Sequence, residues 1–68
     1  MFKPKGFYRH KNFKDVDFYC IESEERKEGV WVTGYWTLQR DHGMILATRG
    51  PDDFVIKSKD FKGWKEVR

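Results

Sequence analysis

The chain holds a single cysteine, Cys20, in 68 residues, so no internal disulfide can staple it. It has no long hydrophobic run. Its longest apolar stretches, Val30-Trp31-Val32 and Met44-Ile45-Leu46-Ala47, fall far short of the roughly 20 residues that cross a bilayer. A mean hydropathy of −0.86 with 37% charged residues excludes a membrane protein. The opening Met1-Phe2-Lys3-Pro4-Lys5 carries no apolar stretch behind its lysines, so no secretory signal is expected. With one lone thiol, the expected setting is the reducing cytoplasm.

Ligand-binding and catalytic signatures are also scarce. One Cys and two His (His10, His42) cannot supply the four ligands of a structural zinc site. Gly29, Gly34, Gly43 and Gly50 are spread out, with neither G-x-x-x-x-G-K nor G-x-G among them. Cys20 lies in an apolar stretch beside Tyr19 and Ile21, where cysteine is ordinarily an inert small hydrophobe. The acid pairs Glu24-Glu25 and Asp52-Asp53 read as solvated loop residues. No enzyme, cofactor or small-molecule substrate is expected. One small domain over residues 1–68 is all the length allows, and such a domain cannot spare core for a deep cavity.

Aromatic residues are plentiful: six Phe, three Trp and three Tyr, 18% of the chain. That argues for a packed core and against disorder. Apolar residues alternate with period two, the strand signature. Strands are predicted over 6–10, 16–21, 30–38, 44–48, 54–57 and 64–67. Turns are predicted at 10–15, Asp41-His42-Gly43 and Gly50-Pro51-Asp52-Asp53, with a 3₁₀ turn at 58–62. The charged stretch 22–28 has no apolar face, and reads as a strand end and an exposed hairpin loop closing at Gly29. Gly34 interrupts the strongest strand and predicts a bulge or bend.

Five or six short antiparallel strands in so short a chain point to an all-β fold, an SH3-like barrel, since closure removes exposed sheet edges. Strand parity sets the expected core: Val30, Val32, Trp36 and Leu38 with Val16, Phe18, Cys20, Phe54, Ile56 and Val67. The same parity turns Tyr19, Trp31 and Tyr35 outward.

Gly6-Phe7-Tyr8-Arg9-His10-Lys11 and the closing Asp60-Phe61-Lys62-Gly63-Trp64-Lys65-Glu66-Val67 resemble short accessory or early proteins of tailed phages. These open with a Gly-x-Tyr-Arg-His strand and end on an aspartate, an aromatic and a tryptophan. The resemblance covers the two ends of the chain. It implies a phage origin, action inside a bacterial host and an SH3-like barrel, and it transfers no catalytic residue.

The net charge of +3 conceals an asymmetry. Residues 1–14 carry Lys3, Lys5, Arg9, Lys11 and Lys14 with no acid, whereas 15–29 hold six acids against Arg26 and Lys27. In an extended segment Lys3, Lys5, Arg9 and Lys11 share one face, where they can contact successive phosphates. They can equally dock an acidic protein or neutralise the chain's own 22–28 segment. Outward Tyr19, Trp31 and Tyr35 can stack bases or hold a partner's apolar segment, or simply cover the second face of the sheet. The expected function is a monomeric, non-catalytic binding module for nucleic acid or a nucleoprotein. A host-protein inhibitor or adaptor, or a small virion or assembly component, are the alternatives.

Overall fold

The computed structural model describes residues 2–38 and 47–67, with the backbone alone for 47–50. The turn at Asp41-His42-Gly43 and the strand start at 44–46 lie outside the described residues. Among the described residues five strands run in chain order: β1 Phe7–His10, β2 Val16–Arg26, β3 Gly29–Leu38, β4 Ala47–Lys57 and β5 Trp64–Glu66, with a 3₁₀ turn over Ser58–Gly63 before β5. All pairings are antiparallel, in the order β4-β3-β2-β1-β5. No helix among the described residues is long and apolar enough to cross a membrane.

The sheet is open, which corrects the expected SH3-like barrel: β4 and β5 are its two edges and do not pair with each other. The N-terminal arm packs against the β1–β5 end of the sheet. Phe2, 1% exposed, is the centre of that contact. Its ring lies 4.9 Å from Tyr8, 5.6 Å from Trp64 and 5.8 Å from Phe61 of the 3₁₀ turn. The arm carrying Phe2 bends back through a turn in which the Gly6 N–H donates to the Lys3 carbonyl. Pro4 in that turn is followed by Lys5 at φ 71°, the left-handed position of a type II turn.

Two strands are longer than the sequence pattern implied. β2 continues through the charged stretch to Arg26, and only Lys27 and Glu28 turn before Gly29. Charged side chains are tolerated there because the hairpin tip is solvated on both sides, while backbone pairing opposite Val30 to Val32 continues. The expected turn at 50–53 and the separate strands 44–48 and 54–57 are likewise corrected: 47–57 form one strand. Pro51 fits because β4 is an edge strand, and register shifts opposite Tyr35 and Trp36 absorb the extra residues.

Gly34 lies at the first of those irregularities, as its place in the strand predicted. A Cβ there would come within 1.9 Å of the Tyr19 carbonyl oxygen, so β2 and β3 approach too closely for any side chain. A second bulge on β2 between Cys20 and Glu22 leaves Ile21 unpaired.

The core cluster is Phe2, Tyr8, Phe18, Cys20, Val32, Ile56 and Trp64, with Val30, Trp36, Phe54 and Phe61 packed against it. The parity of β3 is as expected, since Trp36 pairs with Phe18 and their rings lie 5.1 Å apart. Trp36 itself is only half-buried, as are Val16, Leu38 and Val67. Val67 belongs to the other face, where its N–H donates to the carbonyl of Phe7.

Two buried groups link the core to pH. Burial pushes the Tyr8 hydroxyl up from its ordinary value of 10.0, against a hydrogen bond from the Lys3 N–H at 2.6 Å. Burial likewise pushes the Cys20 thiol up from 9.0. Both are neutral in the folded protein and ionise more readily once it unfolds. Their contribution is therefore complete below about pH 9 and lost as pH rises through their folded values. Denaturant titrations between about pH 8 and pH 11 should show stability falling with pH, with a shallower fall in Tyr8→Phe and Cys20→Ala. A flat wild-type profile would contradict this.

Candidate nucleic-acid interface

The expected basic face does not form as one unit. The turn at Pro4-Lys5 breaks the extended parity, and Lys3 instead borders a concavity with Pro4, Ser23, Glu25 and Val30. Arg9 is committed elsewhere: its Nε and Nη2 donate to both oxygens of Asp17, at 2.8 and 3.0 Å. Asp17 is fully buried beside Thr37, whose hydroxyl donates to the Asp17 carbonyl oxygen at 3.3 Å. The hydrogen bonds from Arg9 to the Asp17 carboxylate push the guanidinium pKa up, so Arg9 is a structural cation.

A different basic cluster appears where the two ends of the chain meet. β1 and β5 pair through Arg9 opposite Lys65 and His10 opposite Trp64. Beside them lies a groove of about 500 Å³ lined by Arg9, His10, Lys11, Phe13, Lys14, Asp15, Lys62, Gly63, Trp64 and Lys65. None of Lys11, Lys14, Lys62 and Lys65 is ion-paired among the described residues. Lys62 and Lys65 were missed from the sequence because they lie about fifty residues from Lys11. Their only signal was nearness to Trp64, Lys62 in the 3₁₀ turn before it and Lys65 next to it in the last strand.

Backbone bonds hold the groove's shape. The Lys11 N–H donates to the Gly63 carbonyl at 3.1 Å and the Phe13 N–H to the His10 carbonyl at 3.0 Å. The Asn12 N–H donates to His10 Nδ1 at 3.0 Å, so in the neutral ring the proton sits on Nε2. That nitrogen faces Gly63, where a Cβ would lie 2.5 Å away. The His10 ring is edge-on to Trp64 at 5.0 Å and tilted against Phe13 at 5.2 Å.

The outward aromatics lie on the sheet face that also carries Phe7, Arg9 and Lys65, away from His10 and Trp64. Tyr19, Trp31 and Tyr35 are all half-buried. Tyr19 pairs across the ladder with both Phe7 and Tyr35, and its ring is 4.9 Å from that of Phe7. Trp31 is anchored by its own neighbours: its Nε1–H donates to Asp53 at 3.2 Å and the Arg26 guanidinium lies 5.6 Å above its ring. Ile21 and Val55 are among the large exposed apolar side chains.

Catalytic geometry is sparse. Cys20 is fully buried, with its thiol donating to the Glu22 carbonyl at 3.3 Å. His42 lies outside the described residues, among which no group of three or more His, Cys, Asp or Glu could hold a metal ion. No protein-family model, curated protein or solved structure matches the chain.

Proposed function

We propose that this chain is a non-catalytic binding module for nucleic acid or a nucleoprotein, and that the ligand's phosphates lie along the lysine-lined groove. One observation carries the reading. Lysines from the β1–β2 loop, the 3₁₀ turn and β5 converge on a single depression that also holds Asp15 and the Asp17-bound Arg9, and these four lysines have no ion-pair partner among the described residues. Each lysine that neutralises a phosphate releases condensed counterions, so affinity falls with salt. The resemblance of the chain's ends to tailed-phage accessory proteins supports an accessory role in a bacterial host. A second reading, a host-protein adaptor, draws on the face of Tyr19, Trp31 and Tyr35, where exposed Val55 stands opposite Trp31.

Fluorescence anisotropy with labelled generic DNA and RNA at several salt concentrations separates the two. The groove reading expects binding that weakens steeply with salt. Lys11→Glu and Lys65→Glu should each lower affinity for all sequences alike and reduce the salt slope by about 1. Trp31→Ala should change neither. Absence of binding at low salt, or lysine variants that bind like wild type, would discard the groove and leave the face of Tyr19, Trp31 and Tyr35.

A further inference from the structure

We infer that the groove takes single-stranded rather than duplex nucleic acid, with one base stacked on Phe13; the inference rests on the groove being the nucleic-acid interface. Phe13 is 43% exposed, more than either Ile21 or Val55. It is nevertheless held in place, because its own N–H is bonded to His10 and its ring is edge-on to Trp36 at 5.3 Å. A fixed, exposed aromatic ring among lysines is the arrangement that stacks an unpaired base while cations track the backbone.

The surroundings of Phe13 support the same ligand. A second depression of about 300 Å³ is lined by His10, Asn12, Phe13, Phe54, Val55, Ile56, Asp60 and Trp64. It shares His10, Phe13 and Trp64 with the lysine groove. One side of Phe13 therefore holds the four lysines, with Asp15 among them. The other is aromatic and apolar, with Asn12 and Asp60 as polar groups for a base edge. A base entering the crevice leaves its phosphates on the lysine side. A duplex offers phosphates and groove edges but no free base face, since its bases are already stacked on one another.

Three labelled probes test this: a single-stranded oligonucleotide, the duplex of the same sequence, and an abasic strand of the same length and charge. The single strand should bind about tenfold or more tightly than the abasic strand and the duplex. Phe13→Ala should bring the single strand down to the abasic level and leave the other two unchanged. Phe13→Trp should retain single-strand binding, and its fluorescence should be quenched as the base stacks. Circular dichroism checks that both variants are folded. Equal binding of all three probes, or a Phe13→Ala variant that binds the single strand like wild type, would overturn the stacking site while leaving the lysine groove intact. Failure of every probe to bind would remove the groove reading and this inference together.

Discussion

Phe18→Ala is expected to lose cooperative folding, or to keep it only with a sharply lowered denaturation midpoint. Phe18 is fully buried on β2, which lies between β1 and β3. Its ring contacts Trp36 and Phe54, each at 5.1 Å. Truncating a buried Phe costs about 3–5 kcal/mol, whereas a domain of this length has only roughly 3–10 kcal/mol in total. A urea titration followed by tryptophan fluorescence measures it, and a midpoint near wild type would contradict the assigned core. Trp36→Ala should cost less, because Trp36 is only half-buried.

The second large effect concerns the Arg9–Asp17 pair, and its sign of asymmetry is informative. The Asp17 side chain is fully buried, while that of Arg9 is 34% exposed. Arg9→Leu removes the guanidinium from a buried carboxylate and should cost about 3 kcal/mol. Asp17→Asn leaves a neutral group under an arginine that water still reaches, and should cost about 1 kcal/mol. Equal costs would mean that the pair behaves as an ordinary surface bridge. Because Arg9 is engaged in this way, its contribution to ligand binding is expected to be smaller than that of Lys11 or Lys65.

Much of the strand pattern was legible from period-two alternation. The face shared by Phe18, Val32, Trp36 and Ile56, the irregularity at Gly34 and the late 3₁₀ turn all follow from residue order. Other features depend on tertiary context. Glu22 to Arg26 look like a loop because neither side of the hairpin tip is covered, so no apolar alternation marks the strand. Gly50-Pro51-Asp52-Asp53 has turn chemistry, but an edge strand accommodates the same residues. The open sheet and the burial of Phe2 against Tyr8, Phe61 and Trp64 were not legible, because Phe2 belongs to no alternating segment.

The site was legible in kind but not in place. Excess cations near the start of the chain and abundant aromatics pointed to phosphates and bases. The parity that grouped Lys3 and Lys5 with Arg9 and Lys11 assumed an extended arm, and the left-handed Lys5 bends that arm away. The groove depends instead on β1 pairing with β5 across the length of the chain, a contact that alternation within a segment cannot reveal. Phe13, flanked by polar residues in a loop, gave no strand signal.

The most direct test of the groove is amide chemical-shift mapping by NMR as single-stranded DNA is added to the labelled protein. The largest shifts are expected at Lys11, Phe13, Lys14, Gly63 and Lys65, with the indole N–H of Trp31 and the amides of Tyr19 and Tyr35 unmoved. Shifts centred on Tyr19, Trp31 and Tyr35, or none at any residue, would contradict the account.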